Sequence, residues 1–144
     1  MSQNCELPEK NAGDAEVKQI LSESKVIAVV GLSDKPDRPS YGVAEYLQSH
    51  GFRIIPVNPV VKENILGEKT YASLKEIPEK VDIVDIFRKP EAVPEIVAEA
   101  IAIGAKTVWM QDGIVHNAAA EQARSAGLKV VMNKCLLREH RKLA

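Results

Sequence analysis

The sequence predicts a three-layer α/β fold, a five-stranded parallel sheet with helices on both faces. Two observations carry this expectation. Short β-branched runs, which read as strands buried on both sides, alternate along the chain with helical patterns. Three of the helical stretches also stop at a glycine followed by an apolar residue, a base and a new strand. These are Gly51-Phe52-Arg53-Ile54, Gly104-Ala105-Lys106-Thr107 and Gly127-Leu128-Lys129-Val130. Glycine closes a helix in the left-handed conformation without a Cβ clash, and the base suits the negative end of the helix dipole.

Residues 1–13 mix Asn, Gln, Glu, Lys and Pro without the basic and apolar regions of a signal peptide, and read as a flexible tail. Residues 14–144 read as one domain. Val17, Ile20 and Leu21 sit at i, i+3, i+4 and predict a short amphipathic helix. Strands are expected at 25–30, 52–57, 81–87, 107–110 and 128–132. Val43, Ala44 and Leu47 mark one intervening helix, and Val93, Ile96, Val97, Ala100 and Ile101 mark another. Pro94 fits the latter only if that helix begins near Pro90 or later, leaving the proline in its first turn. An Ala-rich helix is expected at 117–126, and Cys135 begins a last one. Between 60 and 80, scattered charges around Gly67 predict a loop with a short helix at 73–77.

Composition excludes several classes. Lys and Arg number 19 against 20 Asp and Glu, a net charge of −1, so no bulk positive field draws the chain to nucleic acid or anionic membranes. Cys5 and Cys135 lie far apart, with no Cys/His cluster, and signal neither zinc nor a disulfide framework. A reducing cytoplasm suits them. No run approaches the roughly 18 apolar residues of a membrane span. A soluble, cytoplasmic protein is expected.

In such a sheet, ligands bind beyond the carboxyl ends of the strands, where the strand order reverses. The first strand ends in a long loop, Gly31-Leu32-Ser33-Asp34-Lys35-Pro36-Asp37-Arg38-Pro39-Ser40. A glycine at the strand end, two bases and Ser40 as helix N-cap suit a phosphate held at a helix start. The competing interpretation is a solvated loop whose bases neutralise Asp34 and Asp37. The G-x-G-x-x-G fingerprint is missing, because Ser33 stands at its second glycine. The second strand ends in Pro56-Val57-Asn58-Pro59, without the acid that holds the ribose of NAD. That either favours a phosphorylated ribose or marks a turn chosen for its geometry.

Val29-Val30-Gly31-Leu32-Ser33, the 35–40 loop, Ile55-Pro56-Val57-Asn58-Pro59, Asp85-Ile86-Phe87-Arg88-Lys89-Pro90 and Val108-Trp109-Met110-Gln111 together carry a resemblance. In this order, over about residues 25–137, the chain resembles the small stand-alone CoA-binding proteins, a family similar to the CoA-binding domain of the succinyl-CoA synthetase α subunit. The resemblance implies a Rossmann-like domain with coenzyme A as cofactor. It places Gly31, Ser33, Lys35 and Arg38 around the phosphates and Asn58 and Pro59 beside the adenosine. Ile86, Phe87 and Arg88 would line the cofactor's path. Two positions depart from the family's pattern: Asn133 stands where an Asp is expected, and Asp112 where relatives are often apolar.

Several single residues have two readings. Asp85, inside an apolar strand, is either a general base or a structural acceptor bonded to backbone amides or a nearby base. Trp109 flanks a ligand or packs in the core. Cys135 either forms a mixed disulfide with the CoA thiol or is a buried small hydrophobe. His50 stabilises a helix C-terminus, and neither His116 nor His140 has a nucleophile pattern around it. The basic run Arg138, His140, Arg141 and Lys142 reads as a solvated helix end. With no catalytic constellation, the sequence points to a binder of CoA or acyl-CoA, a carrier, sensor or regulator working with an unidentified protein, and not to an enzyme. The alternative is an NAD(P)-dependent oxidoreductase on the same fold; a weaker third is an acyl-CoA enzyme using Asp85 or Cys135.

Overall fold

The structure, a computed structural model, describes residues 6–143. Helix α1 (Asp14–Glu23) leads into β1 (Val26–Val30), α2 (Pro39–Ser49) and β2 (Arg53–Val57). A loop with one 3-10 turn at Leu74–Glu76 returns to β3 (Ile83–Ile86). Then follow α3 (Val93–Ala102), β4 (Thr107–Met110), α4 (Asn117–Ser125), β5 (Lys129–Val131) and α5 (Leu136–Leu143). All five expected strands and the expected helices form. A 3-10 turn at Pro90–Ala92 precedes α3, so Pro94 sits in the helix's first turn, where its missing N–H is no loss.

The strands are parallel throughout, in the order β2-β1-β3-β4-β5. This is a doubly wound, Rossmann-like sheet. Side chains alternate across it. Ala28, Val84, Ile86, Val108 and Met110 pack under α3 and α4. Ile27, Val29, Ile83, Trp109 and Val131 pack under α1, α2 and α5. Continuous apolar runs in the strands are the consequence, since both faces are covered. Gly51, Gly104 and Gly127 follow α2, α3 and α4 with positive φ, as the repeated pattern predicts.

Residues 6–13 lie along the edge of the sheet and the start of α4. Asn11 donates from Nδ2 to the Met132 carbonyl (2.8 Å) and accepts from the Met132 N–H (2.9 Å), so its amide imitates a further strand at the β5 edge. Glu6, Leu7 and Glu9 bond Asn117 at the start of α4, and Ala12 is buried. A side-chain amide carries the same donor and acceptor as a peptide, which composition alone does not reveal. Cys5 lies outside the described residues.

Candidate functional site

The chain leaves β1 for β2 on one side and comes back for β3 on the other, so the loops after β1 and β3 diverge and open a cleft. Gly31 begins the first loop at φ +88°, its N–H donating to the Val57 carbonyl (2.9 Å). Leu32, fully buried, pins the loop to the core. Beyond it the loop bonds itself. The Ser33 N–H donates to Ser40 Oγ, the Lys35 N–H to Ser33 Oγ and the Arg38 N–H to the Lys35 carbonyl, each at 3.0 Å.

Ser40 is not the N-cap. Helix α2 starts at Pro39 with Arg38 as its extended N-cap residue, because proline's fixed φ and absent N–H suit the first helical position. Ser40 is instead buried, turned back to tie the loop.

Gly31, Ser33, Lys35, Arg38, Ser40 and Phe87 come together around a cleft of about 310 Å³ at the N-terminus of α2. Lys35 and Arg38 are exposed at its mouth, and among the described residues neither pairs with Asp34 or Asp37. The bases are therefore not neutralised within the loop. Two such cations beside the positive end of a helix give the cleft a positive potential that suits an anion.

A second cleft of about 570 Å³ shares Pro39 and Phe87 with the first and crosses the carboxyl ends of β3 and β4. Val43, Ile114 and Phe87 give it apolar walls, and Arg88 and Lys89 border it. At its far side the Arg138 guanidinium binds both carboxylate oxygens of Asp112. Gln111, 4 % exposed, accepts the Leu136 N–H on Oε1 (3.1 Å) and so caps α5. Asn133, left-handed at φ 57°, accepts the Gly113 N–H on Oδ1 (2.7 Å) and joins the β4 and β5 loops. Both departures from the family pattern thus have structural partners. No sequence pattern singles out Gln111, and Arg138 lies on the exposed basic helix end that the sequence predicts; only their position at a strand end and a helix start points to this cleft.

Other candidates lie elsewhere. Ile86 is fully buried in the core under α3 and α4, so its side chain lines no path; its strand position alternates it away from the loop end. Asn58 donates from Nδ2 to the Leu32 carbonyl (3.0 Å) and accepts from the Val60 and Val61 N–H groups (2.8 and 3.1 Å). Its amide splints the end of β2 to the β1 loop, with Pro59 exposed beside it. Trp109 is core: it is fully buried, with its Nε1–H on the Lys134 carbonyl (2.9 Å).

Asp85 is also fully buried, between Val29 and Trp109 on the neighbouring strands. Neither of its oxygens has a hydrogen-bond partner among the described residues, which overturns its reading as a bonded acceptor. It lines neither cleft, so it reaches no substrate as a base. Burial pushes its carboxyl well above the usual range, in favour of the neutral form.

His50 closes α2, its ring Nδ1 on the Tyr46 carbonyl (2.8 Å), and His116 caps α4 by accepting the Ala119 N–H (3.1 Å). His140 bonds the Tyr46 hydroxyl (2.9 Å). Among the described residues no His, Cys, Asp and Glu cluster could hold a metal, and no helix is long and apolar enough to cross a membrane.

Comparison with known proteins gives a consistent result. The family model described as a CoA binding domain matches residues 25–141. An uncharacterised Bacillus subtilis protein, YneT, is 44% identical over 131 residues, 91% of this chain and 96% of that one. An ADP-forming acetate–CoA ligase of Archaeoglobus fulgidus is 37% identical over 84 residues, 57% of this chain but 12% of the ligase. Among solved structures, a hypothetical protein from Pyrococcus horikoshii superposes with a TM-score of 0.89 at 42% identity, over 96% of each chain.

Proposed function

This chain belongs to the family of CoA-binding domains, and from that premise we propose that it binds coenzyme A, or an acyl-CoA, in the two joined clefts. One observation carries the proposal. The first cleft sets two unpaired cations and a helix N-terminus at the reversal point of the sheet, and it opens at Phe87 into a longer apolar cleft. CoA has that division itself, a phosphorylated nucleotide followed by an uncharged pantetheine arm.

Lys35 and Arg38 would hold phosphate oxygens, with the Ser33 hydroxyl and the start of α2 completing the cradle. Ser40 supports it from behind. Phe87 and Arg88 would flank the arm where the clefts meet, and Pro59 would border the adenosine, next to the turn that Asn58 holds. Coenzyme A supplies a thiol on which acyl groups travel; the chain's residues bind and orient it. The role is that of a cytoplasmic carrier, sensor or regulator acting with a protein partner. No observation favours the oxidoreductase alternative: the β1 loop has one glycine, and β2 ends in an amide that is already hydrogen-bonded.

Titration calorimetry with CoA and NAD tests this. CoA binds and NAD does not; NAD binding as tight as that of CoA would show the cofactor assignment to be wrong.

A further inference from the structure

The far end of the second cleft holds two groups with no part in cradling phosphates. Cys135 lines its wall just ahead of α5 and is a free thiol. Gln111 lines the same cleft and is 4 % exposed. Its Oε1 is occupied by the Leu136 N–H, but its Nε2 has no hydrogen-bond partner among the described residues. Among the described residues only Asp85 has unpartnered side-chain atoms sealed from solvent, so the nitrogen of Gln111, a residue of the cleft wall, is open to solvent. An amide donor on the cleft wall with no protein partner is available to a carbonyl of a bound ligand.

The cation-bearing cleft thus joins one whose lining combines the apolar Val43, Phe87 and Ile114 with the Gln111 amide and the Cys135 thiol. A CoA anchored by its phosphates offers an aliphatic arm with amide carbonyls and a terminal sulfur. We propose that this end of the groove is a thiol-exchange site, where Cys135 forms a mixed disulfide with coenzyme A drawn from the cofactor's oxidised, disulfide-linked dimer. The inference rests on the CoA binding proposed above.

The exchange balances without a further oxidant. Cys135 gives its proton to solvent, and Sγ attacks one sulfur of the CoA disulfide. The bond between the two CoA sulfurs breaks, the bond from Sγ to one CoA forms, and the other CoA leaves as a thiolate that takes up a proton. The Cys135 sulfur is oxidised as the departing sulfur is reduced. A small thiol reverses the reaction, so the covalent bond to CoA would form under oxidation and open under reduction. Gln111 is a positioning residue here, its Nε2 donating to a carbonyl of the arm.

The test is intact-protein mass spectrometry of the full chain incubated with CoA disulfide, glutathione disulfide or hydroxyethyl disulfide. We expect one CoA adduct, mapped to Cys135, removed by dithiothreitol, absent in Cys135→Ser and retained in Cys5→Ser. CoA disulfide reacts about tenfold faster than glutathione disulfide, and Arg38→Ala abolishes that preference by removing the phosphate anchor. Gln111→Glu keeps the oxygen that caps α5 but loses the donor, so it slows the CoA disulfide and not hydroxyethyl disulfide. No adduct on the parent chain, or equal rates with all three disulfides, overturns the inference. Calorimetry of reduced CoA with Cys135→Ser separates the two failures. Binding without exchange sinks only this inference, and no binding sinks the CoA reading itself.

Discussion

Gly31 and the Phe87 carbonyl are in contact across the reversal point of the sheet: a Cβ on Gly31 would stand 2.5 Å from that oxygen and 3.0 Å from Arg88 Cδ. The loops after β1 and β3 approach this closely because one of them begins with no side chain.

Gly31→Ala must therefore both strain a positive φ and push the β3 loop away. The strained backbone alone costs about 1–3 kcal/mol. Thermal unfolding should show that loss, and CoA affinity should fall with it. An alanine variant as stable as the parent, with unchanged affinity, would mean the loops are not locked together.

Arg38 and Lys35 are exposed and in no ion pair among the described residues, so removing either takes little from the fold. A hydrogen bond to a charged group contributes about 1.5–3 kcal/mol, and Arg38→Ala should weaken CoA binding roughly 10- to 150-fold by calorimetry. Arg38→Lys should recover only part, since lysine keeps the charge and loses the planar fork. Salt dependence of binding should flatten in the alanine variant. If both alanine variants bind like the parent, the loop is merely solvated.

Asp85 lowers stability as the solution becomes more alkaline. Its folded-state pKa lies well above the unfolded one, so no such loss exists below the unfolded carboxyl range, and the loss grows as pH rises above that range toward the folded value. Asp85→Val, an apolar β-branched side chain between Val29 and Trp109, should raise the unfolding free energy by about 1–3 kcal/mol at neutral pH. The gain should shrink toward pH 4. Denaturant melts across pH would show a flat or negative effect if the carboxyl has a partner in solution.

Asp82, three residues earlier, works in the opposite sense. Although burial opposes its charge, its carboxylate accepts the Lys25 and Val26 N–H groups (2.8 and 2.9 Å) and faces Lys106, which together hold its pKa below the ordinary value. Its stabilisation is present above the unfolded carboxyl pKa and disappears as pH falls through the folded one. Asp82→Ala should cost about 1–3 kcal/mol at pH 7 and much less at pH 3. A loss independent of pH would point to packing instead of charge.

The alternation of apolar runs with helical stripes, and the glycines after α2, α3 and α4, were enough to read five parallel strands and two helical layers. These are local properties of the chain: a strand covered on both faces must be apolar throughout, and a helix closing in the left-handed region selects glycine. The grouping of Gly31, Ser33, Lys35 and Arg38 around one cleft was legible for the same reason, as they are near neighbours in sequence. Tertiary structure alone decided that Asn58 splints two loops, that Asp85 lies sealed without a partner among the described residues, and that Gln111 and Cys135, 24 positions apart, line one cleft. Each of these depends on which strand end lies beside which, and strand order comes from the packing of the whole sheet, not from any residue's immediate neighbours.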